Sequence, residues 1–332
     1  MTGHTASQRI YYFDNAKFLL ILLVVIGHMV SPYRHESTFL QAFYKFIYTF
    51  HMPAFILIAG YFAKNVFKKG YVKKVCYKVL FPYFIFQLLY TAYFTFQTHT
   101  LEFTLFDPHW TLWFLLSFVG WHFLLLLFAK VKYSLLISIG IGVFIGFIPT
   151  IGTFLSLSRT FVFFPLFLLG YYLEKEHFSL LRQRGLRILS IYVLGTLLIC
   201  YMLFLHDVPR DWLLASSSYT TIGVNPEIGA IVRLMIYGLV FLTTFAFLSV
   251  VPWRRTFYSK LGERTLYIYL LHGIVVKLLD TTPVIEVMIN ANVYVFLFLF
   301  GTMITFILGS NPVTKVTRPI IEPRRELQTK CR

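Results

Sequence analysis

Six ionisable residues sit within or at the edges of long apolar runs: Asp14, Lys17, His28, His51, Arg159 and His272. Such groups are costly in lipid, so they face a protein interior or a watery cavity. Their types suit one chemistry. Imidazole takes up and returns protons near neutral pH. A guanidinium grips a carbonyl or hydroxyl oxygen through several donors, and an ammonium attracts phosphate. The same residues also allow a structural reading, in which the histidines hydrogen-bond neighbouring helices and the cations reach for the membrane surface.

Lys17 and His28 are eleven positions apart. On a helix that leaves them about 20° apart on one face and roughly 16 Å apart along the axis. Lys17 is then expected at the cytoplasmic edge and His28 near mid-membrane. Asp14 precedes Lys17 by one turn and can pair with it. In Thr49-Phe50-His51-Met52-Pro53-Ala54-Phe55, Pro53 frees a backbone carbonyl beside His51. Gly60, further along, permits close helix packing. Entering from outside, His51 lies about 12 Å deep. Tyr267-Ile268-Tyr269-Leu270-Leu271-His272 brings another imidazole to a comparable depth from inside. Three histidines are thus expected to approach one level, either as a reactive cluster or as satisfied interhelical donors. Arg159 opens its run as an interface anchor or as an inward-facing oxygen ligand. Trp110 and Trp113 read as belt residues, with sugar stacking as the alternative.

The elements that must position these residues are membrane helices. Of 332 residues, 58% are hydrophobic and 13% charged, against about a quarter charged in soluble domains. The 37 phenylalanines and 22 tyrosines suit spans and interfacial belts. Cys76, Cys200 and Cys331 have no ligand spacing and cannot all pair, so neither a disulfide framework nor a metal site is expected. The first apolar run, from about Phe18, shows no small-residue cleavage site and reads as an uncleaved span. The fold class is all-α: a polytopic integral membrane protein of about ten transmembrane helices. The runs centre on 16–32, 43–62, 79–97, 110–129, 133–149, 159–173, 187–205, 229–250, 264–279 and 291–310. The ninth is the weakest, being short and ending in Lys277 and Asp280. The chain reads as one domain over 1–332, with spans across about 16–310 and a cytoplasmic tail over 311–332.

Loop charge gives the direction. With the N-terminus inside, Lys64, Lys68, Lys69, Lys73, Lys74 and Lys78 fall on the cytoplasmic side. So do Lys130, Lys132, Arg182, Arg184, Arg187, Arg254, Arg255 and Lys260, and the tail with Arg318, Arg324 and Arg325. External loops hold Arg34 and Arg210 beside Glu36, Glu102, Asp107, Asp207, Asp211 and Glu227; Lys45 and Arg233 are the exceptions at outer span ends. Both termini are therefore expected in the cytoplasm. This placement also explains the +16 charge by topology and argues against nucleic acid as a partner. The longest external connection, 206–228, reads as a connector or as the lining of a substrate entrance.

These residues in this order resemble the acyltransferase-3 family, especially its fucose 4-O-acetylase-like branch of bacterial membrane acetyltransferases. The likeness starts with Asp14-Asn15-Ala16-Lys17 and the Lys17-x10-His28 spacing, similar to the family's Arg/Lys-x10-His motif. It continues through Phe50-His51-Met52-Pro53-Ala54-Phe55 with Gly60-Tyr61-Phe62 and through Leu112-Trp113-Phe114-Leu115. Arg159 to Pro165 with Gly170, and Tyr267 to His272, complete it. Two features set the chain apart. Lys17 stands where arginine is common, and no extracytoplasmic hydrolase-like domain is expected after the spans, so acceptor capture is expected from the spans, their loops or another protein.

The resemblance implies a multi-pass O-acetyltransferase of the bacterial cytoplasmic membrane. Acetyl-CoA would be the acyl donor, with no bound cofactor, and a carbohydrate hydroxyl the acceptor. The bilayer and proteins of glycan synthesis are the implied partners. His28 is then the general base, with Asp14 and Lys17 completing the catalytic set. Lys17, Lys73, Lys74, Arg254 and Arg255 are candidates for the CoA phosphates, and His51, Arg159, His272 and Trp113 for the acceptor. The rival reading is a glycan or lipid-linked sugar transporter, which the buried charges and Pro53 would also suit.

Overall fold

The computed structural model describes residues 11–100, 103–290 and 293–322. Glu102, Arg324, Arg325 and Cys331, and with them the end of the expected tail, lie outside the described residues. Among the described residues all regular structure is helical. The helices are α1 Tyr11–Val30, α2 Thr38–Tyr61, α3 Tyr71–Thr98, α4 Trp113–Phe128, α5 Ser134–Phe144 and α6 Leu157–Tyr172. After the short α7 Lys175–Leu180 come α8 Arg184–Leu203, the single turns α9 Asp211–Leu214 and α10 Tyr219–Ile222, and α11 Pro226–Val250. The chain continues with α12 Thr265–Asp280, α13 Pro283–Asn290, α14 Val295–Leu308 and α15 Asn311–Ile321.

Each of the ten apolar runs folds as helix, but length divides them. Seven helical segments are long and apolar enough to cross a membrane: those at 11–30, 38–61, 71–98, 110–128, 154–172, 184–203 and 226–250. The helix 134–147 stops short, ahead of Pro149, and α12 has 16 residues. The last run folds as the 14-residue α14, and the expected tail opens with a further helix, α15, that meets it at 66°. Gly309 ends α14, and Pro312, which lacks an N–H to give, sits in the first turn of α15. Counted as one bent span, the pair raises the number to eight.

α1, α2 and α6 form the buried centre, and α2 also packs on α8 and α11. Two glycines set the closest approach. A Cβ on Gly60 would strike the backbone carbonyl of Phe167, and one on Gly170 would strike that of Leu57, so α2 and α6 meet backbone to backbone. α8 stands at the periphery with apolar residues turned outward, Leu189 at 57% and Tyr192 at 70% exposure. In water that surface would be unfavourable; in a bilayer it is solvated.

The two basic residues that broke the loop-charge pattern are internal. Lys45 is buried, and its ammonium donates to the carbonyls of Leu205 and His206, just past the end of α8. Arg233 is buried with its guanidinium near the rings of Trp212 and Tyr219, at 5.5 and 6.0 Å. It donates to the Trp212 carbonyl at 3.2 Å. Both cations hold down the connection between α8 and α11, which Ser158 also latches through a 2.8 Å bond to the Ala215 carbonyl.

Candidate active site

A cavity of about 220 Å³ lies between the helices. Its wall takes His28 and Ser31 from the end of α1 and its following turn, and Tyr44, Tyr48, His51 and Met52 from α2. Trp110, Thr111 and Trp113 come from the entry to α4, Arg159 and Phe163 from α6, and Tyr269 from α12. The connection 206–228 contributes Arg210, Leu213 and Leu214, so it does line the chamber.

Helical register explains much of this wall. Tyr44, Tyr48 and His51 follow at i, i+4 and i+7 and so share one face of α2. The two tyrosine rings stack at 4.0 Å, and Tyr48 meets the His51 ring edge-on at 4.6 Å. His28 stands in the last turn of α1. Its ring lies 5.3 Å from that of His272 and 6.4 Å from that of Tyr48, which in turn meets His51. Trp110 closes the other side at 4.6 Å, edge to face. That placement uses a left-handed backbone, φ 40° at Trp110, which for a bulky residue costs about 1–3 kcal/mol and is tolerated where function or packing demands it.

Arg159 caps the chamber. Its guanidinium lies 5.0 Å over the Trp113 ring and its Nε donates to the Leu214 carbonyl at 3.1 Å. Arg159 and Arg210 both line the cavity, and no carboxylate is among the lining residues. At the rim, burial and then the positive charge of Arg210 push the pKa of Arg34 below its ordinary value, against the opposite pull of Tyr44, Tyr48 and Asp211.

The other end of α1 carries a separate cluster. Lys17 pairs with Asp14 at 3.0 Å and lies 5.9 Å over the Phe62 ring. Asn15, wholly buried, gathers the 252–259 loop. Its Nδ2 donates to the carbonyls of Pro252 and Arg254 at 2.8 and 2.9 Å. Its Oδ1 accepts from Thr256 and Ser259 at 3.0 and 2.6 Å. Gly262 lies against the Asp14 backbone so closely that a Cβ would collide. Arg254 and Arg255 are exposed on this loop, and Arg255 lies 5.8 Å over the Tyr11 ring.

Of the residues picked from sequence, then, His28, His51, Arg159 and Trp113 share the cavity wall, and His272 lies directly behind His28. Asp14 and Lys17 sit about four and three turns away from His28, at the end of α1 that packs on the loop of Arg254 and Arg255. Lys73 and Lys74 are exposed in the first turn of α3. Sequence reasoning passed over Tyr44, Tyr48 and Tyr269, although their spacing from His51 and His272 was a readable signal. For Arg210 and for the role of Asn15 there was none, because the contacts that define them are remote in the chain.

Residues 10–310 match the acyltransferase domain of the acyltransferase-3 family. The chain belongs to that family. It is also similar to Nodulation protein NolL of Sinorhizobium fredii, 29% identical over 307 residues covering 83% of this chain and 80% of the relative. The NolL protein of Mesorhizobium japonicum is 25% identical over 298 residues, covering 81% and 77%. No solved structure matches the chain. The acyltransferase-3 match, with seven or eight apolar membrane-length segments, makes this protein a multi-pass membrane acyltransferase, and the cavity is its candidate active site.

Proposed function

We propose that this acyltransferase moves an acetyl group from acetyl-CoA to a hydroxyl of a cell-surface or lipid-linked carbohydrate, in the bacterial cytoplasmic membrane. The observation that carries the reading is one wall: a half-buried His28 sharing a cavity with two guanidinium groups and no carboxylate. His28 takes the hydroxyl proton of the acceptor as its oxygen bonds to the acetyl carbon. Charge gathers on the carbonyl oxygen, where Arg159 stabilises it in a site that excludes water. The carbon–sulfur bond then breaks, and the CoA thiolate recovers the proton from His28. His51 and Trp113 hold the sugar.

In a ten-span topology with both termini in the cytoplasm, Lys17, oriented by Asp14, faces the cytosolic mouth with Arg254 and Arg255. Together with Lys73 and Lys74 these cations receive the phosphates of CoA. The extended pantetheine arm carries the thioester onward to His28, roughly 16 Å further along α1. The acceptor comes from proteins of glycan synthesis.

The test is purified protein in lipid nanodiscs, given labelled acetyl-CoA and a panel of free and lipid-linked saccharides. Acceptor-dependent CoA release is expected, and it disappears in His28→Ala while elution and melting stay unchanged. Full turnover in folded His28→Ala refutes the reading.

A further inference from the structure

Three buried helical histidines, His51, His122 and His272, share a habit, and His28 breaks it. Nδ1 of His51 bonds the Ile47 carbonyl one turn back at 2.6 Å, and Nδ1 of His122 bonds that of Phe118 at 2.8 Å. Nδ1 of His272 reaches two carbonyls, Ile268 at 3.2 Å and Tyr269 at 2.6 Å. A carbonyl only accepts, so each of these Nδ1 atoms carries the proton, and a neutral ring leaves its Nε2 bare. His28, in contrast, has its Nδ1 buried with no hydrogen-bond partner among the described residues.

Nε2 of His272 is the matching orphan. It too is buried without a partner, on a side chain with no exposure. The two rings lie 5.3 Å apart, inclined at 36°. One orphan must be an acceptor, and the other belongs to the neighbouring ring. Leaving either unpaired in the interior is unfavourable, and one hydrogen bond between them satisfies both.

We propose that His272 is the positioning residue of acyl transfer: its bare Nε2 accepts the Nδ1–H of His28 and holds His28 in the tautomer whose Nε2 is free to take a proton. The proposal rests on His28 being the base. It gives His272 a different task from holding the acceptor. The mount is rigid, because the Tyr269 hydroxyl donates to the Thr111 carbonyl and Gly273 lets the Tyr90 hydroxyl press against α12. During transfer the acceptor proton moves to Nε2 of His28 and later to the CoA thiolate. The Nδ1 proton stays in place, and its bond to His272 strengthens while His28 is cationic. A neutral imidazole performs this task without placing a second charge in a low-dielectric interior.

The experiment compares His272→Gln, whose side-chain oxygen can stand where Nε2 stood, with His272→Asn, which reaches only the Nδ1 position, and with His272→Leu. Turnover of acetyl-CoA with a competent acceptor is measured in nanodiscs. Expected is a kcat within tenfold of wild type for Gln and a loss of about a hundredfold or more for Asn and Leu, with both KM values unchanged. Asn or Leu within threefold of wild type in kcat, Gln as low as Leu, or a change confined to KM overturns the proposal. Wild-type protein gives a second readout through ¹⁵N-histidine solid-state spectra. A hydrogen-bonded Nδ1–H to Nε2 correlation that vanishes in His28→Gln supports the pair, and its absence from the wild type overturns it. His28→Ala separates the two claims. If it is inactive while His272→Asn is not, only the positioning role is lost; if it is active, the base assignment itself is wrong.

Discussion

Replacing Asn15 by alanine removes four hydrogen bonds at once and leaves the carbonyls of Pro252 and Arg254 without their donor. At about 1 kcal/mol net for each bond, the 252–259 loop loses about 4 kcal/mol of its attachment to α1. With each 1.4 kcal/mol worth a factor of ten, its docking equilibrium weakens about a thousandfold. The loop carries Arg254 and Arg255 to the Asp14–Lys17 end of α1, so the donor and not the acceptor should feel the change. Hydrogen exchange over 252–264 reads the docking directly and should accelerate strongly. Acetyl-CoA KM should rise at least tenfold with the acceptor KM unchanged. Asn15→Asp keeps the shape but turns an oxygen toward two carbonyls, and should be no better than alanine. Wild-type exchange protection in Asn15→Ala would show that the four bonds do not hold the loop. An open loop with unchanged donor KM would remove Arg254 and Arg255 from the donor site.

Gly60→Ala forces α2 and α6 apart, because the added methyl meets the Phe167 carbonyl. A loss of about 1–3 kcal/mol and a lower melting temperature in detergent are expected, whereas Gly140→Ala, with open space around it, should melt like wild type. Equal melting of the two variants would contradict the close approach. Arg159→Lys keeps the charge but loses the fork and its stack on Trp113, so kcat should fall ten- to a hundredfold; a value within threefold of wild type argues against oxygen binding by the guanidinium. Lys45→Met leaves the His206 carbonyl without its donor and the Leu205 carbonyl with only the Val208 N–H. It should cost about 1–3 kcal/mol and speed limited proteolysis between α8 and α11, and a wild-type cleavage rate would show that the clamp is not made.

Much of the fold was legible because its causes are local. Hydropathy located the ten apolar helical runs but not the short α7, α9, α10 and α13 or the terminal α15, and helical register put Lys17 and His28 on one face of α1. The expectation that His28, His51 and His272 converge rested on little more than counting 1.5 Å per residue from each end. The first helix begins five residues before the run 16–32 and ends two residues short of its end, at Val30. Residues 311–332 read as a tail in the sequence, although Pro312 opens a further helix there, α15, at 66° to α14.

Sequence alone determined the helical elements, their apolar character and the types of residue available for chemistry, since periodicity and side-chain identity are properties of neighbours along the chain. Tertiary structure decided which nitrogens were already committed, that Arg210 reaches the chamber, and that Asn15 holds a loop more than two hundred residues away. Those outcomes depend on which distant backbone carbonyls and rings come within bonding distance. That is a matter of helix packing, where the contact between Gly60 and the Phe167 backbone could be anticipated on one side only.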